Sequence, residues 1–127
     1  MSELAEKISP SELEVLEILW QAEEPLPVAP IRTRLGQTRG WDASTVKTLL
    51  RRLCEKGAAA AEKREVLYYR PLLSREEYRR WSTRSLVERV YRGSARDLVA
   101  SLVQGDQLTQ EDLAELRAVL YPENGHV

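Results

Sequence analysis

The stretch from Trp41 to Gly57 constrains what this chain can fold into more than any other. Asp42 supplies an acceptor for a helix N-terminus, and Gly57 suits the left-handed residue that follows a helix C-terminus. Between them, Val46, Leu49, Leu50 and Leu53 recur at the spacing of one helical face, which directs them into a core. Ser44, Thr45, Lys47, Thr48, Arg51 and Arg52 are left on the other side. Short hydroxyls interleaved with long basic side chains suit a helix lying in a DNA major groove, where they meet base edges and phosphates. A solvated basic face has the same composition, so the choice rests on what flanks the helix.

The net charge of −1 over 127 residues argues against a nucleic-acid partner only until its distribution is read. Residues 1–31 hold one Lys against seven Glu, and residues 98–127 hold one Arg against five acids. Residues 32–70 hold ten Lys or Arg against four acids, and residues 71–97 hold seven Arg against four. A basic middle lies between acidic ends, and the local field decides where a phosphate backbone docks. Apolar residues make up 43%, enough for a core, yet no run approaches the ~18 apolar residues of a membrane span. The start Met1-Ser2-Glu3 lacks the basic residues and apolar run of a signal peptide, so a cytoplasmic protein without membrane insertion is expected. Cys54 stands alone, which excludes an internal disulfide and reads as a small packed side chain. The single His, His126, sits in a C-terminal tail, and no nucleophile, carboxylate pair or metal-ligand spacing is visible. Neither an enzyme nor a cofactor is expected.

The flanking elements give the helix its context. Ser9-Pro10-Ser11-Glu12 is a capping box with Pro at the first helical position, followed by Leu13, Val15, Leu16, Ile18, Leu19 and Trp20. Glu24-Pro25-Leu26-Pro27 breaks that helix, and a short second one starts near residues 28–30 and ends at Gly36, anchored by Ile31 and Leu35. Gln37 to Gly40 turn the chain into the helix described above. After Gly57, the Ala58–Ala61 run alone favours helix. A helix has just ended, however, and Val66 to Pro71 is aromatic and β-branched enough for a strand. A β-hairpin with a charged tip at Lys63 and Arg64 results. Helix, helix, helix, hairpin is the order of a winged helix-turn-helix, expected over residues 1–73. Lys63 and Arg64, with Arg32 and Arg34, are candidates for contacts to a DNA backbone.

From Ser74 a long helix runs to about Tyr91, with Tyr78, Trp81, Leu86, Val87 and Val90 as apolar positions. Gly93-Ser94 stops it and caps a helix carrying Leu98, Val99, Leu102 and Val103. Thr109 to Asp112 open a last helix with Leu113, Leu116, Val119 and Leu120, and residues 123–127 are expected as a disordered tail. A small helical unit cannot bury so many apolar positions by itself. A two-fold homodimer solves this, so those eight side chains define a helical dimerisation region over residues 74–122. Folding back onto the N-terminal domain would bury the same residues. A small-molecule pocket near Trp81 and Tyr91 is a further reading, against which aromatic positions at helical spacing are ordinary core.

The residues resemble the BlaI/MecI family of penicillinase repressors over nearly the whole chain. The resemblance is carried by Ile8 to Val15, by Thr45-Val46-Lys47-Thr48-Leu49-Leu50-Arg51-Arg52-Leu53, and by Glu62-Lys63 and Tyr68-Tyr69. It continues through Arg89-Val90-Tyr91, Gly93-Ser94, Glu111-Asp112 and Glu115-Leu116. It implies a fold that is mainly α with a small β-hairpin wing, a winged helix-turn-helix followed by a C-terminal helical dimerisation region. It also implies a homodimeric repressor on a near-palindromic double-stranded DNA operator, controlling β-lactam-resistance or related stress genes. A membrane sensor-protease signalling system, with cleavage in the dimerisation region, is implied as the release signal. By position, recognition-helix contacts fall on Ser44, Thr45, Lys47, Thr48, Arg51 and Arg52. The family's Asn-Phe scissile pair is replaced here by Ser101-Leu102, so no processing site is assigned. The cysteine cluster of a copper-responsive relative has no counterpart, and no metal site is assigned. A winged helix used only for protein contacts, without sequence-specific DNA binding, is the competing expectation.

Overall fold

The computed structural model describes residues 3–122, so the tail expected at residues 123–127, with His126, lies outside the described residues. The elements are α1 (Glu3–Glu6), α2 (Pro10–Gln21), β1 (Leu26–Pro27), α3 (Val28–Arg39), α4 (Ala43–Lys56), β2 (Ala59–Lys63) and β3 (Leu67–Pro71). They are followed by α5 (Arg75–Val90), α6 (Ala95–Gln104) and α7 (Gln110–Leu120). Two compact units divide the chain between Thr83 and Arg84.

In the first unit, α2 starts on the expected capping box. Ser9 Oγ accepts the Glu12 N–H at 3.1 Å, and Glu12 Oε1 accepts the Ser9 N–H at 2.9 Å. Val15, Leu16, Ile18 and Leu19 of α2 then pack with Ile31 and Leu35 of α3 and with Val46, Leu49, Leu50 and Leu53 of α4. Ala58, Ala59, Tyr69 and Leu73 close this core from the sheet side. Glu12 is the one buried charged residue in it. Its Oε1 lies 2.6 Å from Lys56 Nζ, which also donates to the Lys7 carbonyl at 2.7 Å. The charge is therefore paired, which is what makes its burial tolerable.

The sheet is antiparallel in the order β1-β3-β2. Ala59, Ala61 and Lys63 of β2 face Pro71, Tyr69 and Leu67 of β3, and Leu26 and Pro27 of β1 face Tyr69 and Tyr68. The hairpin is where the sequence predicts it, but the third strand is a correction, since Glu24 to Pro27 reads only as a break. A two-residue strand has no periodicity of its own, and Pro27, lacking an N–H, is tolerated at a sheet edge. The helix α3 is a second correction. It continues through Gly36 to Arg39, and Gly40 at φ +71° supplies the left-handed cap, its N–H donating to the Gly36 carbonyl at 3.1 Å. A mid-helix Gly costs about 1 kcal/mol. Burial of Ile31 and Leu35 offsets that, and the exposed pairing of Arg39 with Glu14 adds little. The short α1, which buries Ala5, has no counterpart in the sequence reading.

The start of α5 belongs to this first unit. Ser74 Oγ accepts the Glu77 N–H at 3.0 Å, and Trp20 Nε1 donates to the Leu73 carbonyl at 2.8 Å. Tyr78 packs between Trp20 and Trp81, with ring centroids 6.1 and 5.7 Å away. The boundary read after residue 73 marks the change from hairpin to helix. Compact packing carries on to Thr83 because these aromatic rings lie against the core.

In the second unit, Ser94 caps α6 through the Asp97 N–H, and Thr109 and Asp112 form a reciprocal capping box on α7. None of the described residues from 84 onward is buried. Val99, Leu102, Val103, Leu113, Leu116, Val119 and Leu120 are all exposed, and Leu98 is half-buried. Ser101 and Leu102 lie within α6.

Burial pushes the Glu12 carboxyl up, but hydrogen bonds from Lys56 and Ser9 and the Lys56 charge outweigh it and hold the group below its ordinary value. A depressed carboxylate contributes stability above its unfolded value, and that contribution is lost as pH falls through the folded one. Glu12→Gln is expected to cost roughly 1–2 kcal/mol at neutral pH, tempered by the partial exposure of Lys56. Urea unfolding should show wild-type stability falling on acidification more steeply than that of the variant. Parallel pH profiles would contradict this role.

Candidate nucleic-acid interface

The helix α4 is fixed in length by its two ends. Asp42 Oδ1 accepts the Thr45 N–H at 2.9 Å and the Ser44 hydroxyl at 3.0 Å. These bonds, the Thr45 backbone one foremost, hold the Asp42 carboxyl below its usual value. Negative charge there also complements the positive end of the helix. At the other end Gly57, at φ +83°, donates to the Cys54 carbonyl at 3.0 Å, and the Ala58 N–H reaches the Leu53 carbonyl at 2.9 Å. Both positive-φ positions flanking α4, Gly40 and Gly57, are glycines.

Rotation of α4 is fixed by burial of Val46, Leu49, Leu50 and Leu53. Ser44, Lys47, Thr48, Arg51, Arg52 and Glu55 then lie on the opposite side, where each has another of the set three or four residues away. All are exposed except Thr48, which is half-buried, as is Thr45 at the edge of this face. The structure thus brings the six predicted helix residues onto one surface. Glu55 is the member that sequence reading missed. It lies 3.8 Å from Arg51 Nε, with both side chains about two-thirds exposed, so the pair is weak. Continuing the same helical spacing for one more turn would have found it. Among the described residues, Lys47 and Arg52 have no protein partner and point their charge at solvent.

The hairpin tip behaves differently for its two cations. The Arg64 N–H donates to the Val66 carbonyl at 3.0 Å, closing the turn. Its guanidinium lies 4.5 Å from the Tyr68 ring centre and 3.4 Å from Glu62, so it is laid along the strand. The Lys63 ammonium has no partner among the described residues. Val66 and Leu67, which sequence reading did not single out, are exposed beside it.

On α3, Arg32 is exposed and without a partner among the described residues. Arg34 is not equivalent to it, although the sequence groups the two. Its Nη1 donates to Gln21 Oε1 at 2.8 Å, drawing the side chain towards α2. Arg39, absent from the sequence reading, is paired with Glu14. Cys54 is half-buried, and burial followed by the nearby Glu55 charge pushes its thiol up, away from a reactive thiolate. No described helix is long and apolar enough to cross a membrane, and no described group of His, Cys, Asp and Glu could hold a metal ion.

Comparison with known proteins agrees with this geometry. The penicillinase repressor of Bacillus licheniformis is 30% identical over 115 residues, covering 90% of this chain and 89% of that protein. The solution structure of the DNA-binding domain of the repressor BlaI matches with a TM-score of 0.53 at 29% identity, covering 61% of this chain and 94% of that one. The solution structure of monomeric Bacillus licheniformis BlaI in complex with the blaP half-operator matches with a TM-score of 0.51 at 32% identity, covering 57% and 88%. The family model described as penicillinase repressor matches residues 8–121, and this chain belongs to that family.

Proposed function

We propose that this protein is a transcriptional repressor that occupies a near-palindromic double-stranded DNA operator as a homodimer in the cytoplasm, where it controls β-lactam-resistance or related genes. The observation that carries this reading is the outward face of α4, with its unpartnered Lys47 and Arg52 among short hydroxyls. The similar repressor solved on its half-operator supports it.

In this reading Lys47, Arg51 and Arg52 neutralise phosphates or reach guanine edges, while Ser44, Thr45 and Thr48 make short contacts to bases or backbone. Ser44 has its proton engaged by Asp42, so it meets the duplex as an acceptor. Arg32 on α3 and Lys63 and Arg64 at the wing tip add backbone contacts that orient the domain. A surface built to hold another protein would carry apolar or aromatic anchors at its centre, and the face of α4 has none.

The second unit supplies the symmetry. Leu98, Val99, Leu102, Val103, Leu113, Leu116, Val119 and Leu120 form an apolar surface that one chain leaves uncovered, and a second copy covers it. Two winged helices in one dimer then read two half-sites related by a two-fold axis. Repression needs only occupancy of a promoter, and no bond is made or broken.

Replacing Lys47 by Ala should weaken binding across sequences and make the plot of log affinity against log salt shallower by about one. Unfolding stability should stay within about 0.5 kcal/mol, because no intramolecular contact is lost. An unchanged salt slope would remove Lys47 from the interface. Leu116→Glu should yield monomers by sedimentation and a steep fall in operator affinity. A dimer that survives this change would contradict the assigned dimerisation surface.

A further inference from the structure

Two arginines of α3 differ from Arg32 in being engaged by side chains of α2. Arg34 Nη1 donates to Gln21 Oε1 at 2.8 Å, and Arg39 Nη2 is ion-paired and hydrogen-bonded with Glu14 Oε2. Glu14 and Gln21 lie two helical turns apart on one face of α2. The second half of α3 is thus fastened at two points to a single stripe of α2. Together these side chains wall an open groove of about 500 Å³ whose apolar floor includes Ile18 and Leu35.

The position of this fastening in the chain gives it a consequence. Arg39 is the last residue of α3, and only Gly40 and Trp41 separate it from Asp42, the N-cap of α4. Gly40 is left-handed, and Trp41 packs partly buried against the core. A shift at Arg39 therefore passes through a two-residue turn to the end of α4 that carries Ser44, Thr45, Lys47 and Thr48.

We propose that Arg34 and Arg39 are positioning residues, which latch α3 onto Gln21 and Glu14 of α2 and so set the angle at which α4 is offered to the duplex. They do not neutralise phosphates themselves. The inference rests on the DNA-binding reading above and adds the residues that aim its recognition helix. With Glu14 about one-third and Arg39 about one-half exposed, the pair contributes little to folding. Hydrogen bonds to base edges weaken steeply with distance and angle, however, so a small change of aim is read in affinity.

The test uses full-length protein and a duplex that the wild type recovers from a randomised pool, titrated by fluorescence anisotropy across a salt series. Arg39→Gln and Glu14→Gln should each lower affinity about three- to fivefold with the salt slope unchanged. The double variant Glu14→Arg with Arg39→Glu, which restores the pair in reverse, should recover most of the loss. Arg32→Gln serves as the contrast, with a slope shallower by about one. Thermal unfolding of each variant separates aim from foldedness, and the reversed pair keeps the test decisive should a single variant be destabilised. A shallower slope for Arg39→Gln together with tighter binding by Glu14→Gln would make Arg39 a phosphate contact and overturn the latch. Unchanged affinity in both single variants, or no recovery in the reversed pair, would overturn it as well. A wild type that recovers no duplex at all would instead contradict the DNA-binding reading itself.

Discussion

Everything that faces outward on this protein depends on one packed seam, the line of Val46, Leu49, Leu50 and Leu53 along α4. Leu50 and Leu53 are completely buried, and each such side chain is worth roughly 1.5–3 kcal/mol relative to exposure. Turning the helix by one residue would carry Lys47 or Arg51 towards the core, where an unpaired charge is far more costly than the apolar gain. The hydroxyls and basic groups therefore have no freedom to face elsewhere. Caps at Asp42 and Gly57 limit the helix to the length of that seam, so the polar face begins and ends with it.

The same logic explains a chain that carries net negative charge yet presents cations. Three of the acids near the N-terminus are engaged within the fold. Glu12, Glu14 and Glu17 of α2 meet Lys56 of α4, Arg39 of α3 and Arg75 of α5, so one helix tethers three others through carboxylates. Glu17 and Arg75 are 3.5 Å apart beside Trp20, whose ring the guanidinium also approaches. This division of labour consumes acids and the basic partners that hold the fold together. It leaves Arg32, Lys47, Arg52 and Lys63 unpaired among the described residues. Net charge reports the sum, whereas a phosphate backbone senses only what is left over.

Much of this is legible in the sequence. The α4 boundaries, its buried seam and its outward residues follow from caps and a strong period, signals that tertiary context rarely overrides. The hairpin was legible because Gly57 ends one helix and Val66 to Pro71 is rich in strand-forming residues. What escaped lacks a local signature. The strand Leu26–Pro27 exists only through its pairing with Tyr68 and Tyr69. The helix α3 passes Gly36 because Ile31 and Leu35 are buried against the rest of the core, a long-range fact. Arg32 and Arg34 look alike in sequence, and only the nearby Gln21 separates their surroundings. Glu55 continues the helical period of this face, and its opposite sign sets it apart from the basic pattern.

The central claim is that the outward face of α4 grips a duplex in two symmetric copies. Hydroxyl-radical footprinting of the protein on a duplex it selects from a randomised pool tests this most directly. Two equivalent protected patches, related by a two-fold axis and separated by about one helical turn or a multiple of it, are the predicted result. A single patch without symmetry, or uniform protection that does not depend on sequence, would contradict it.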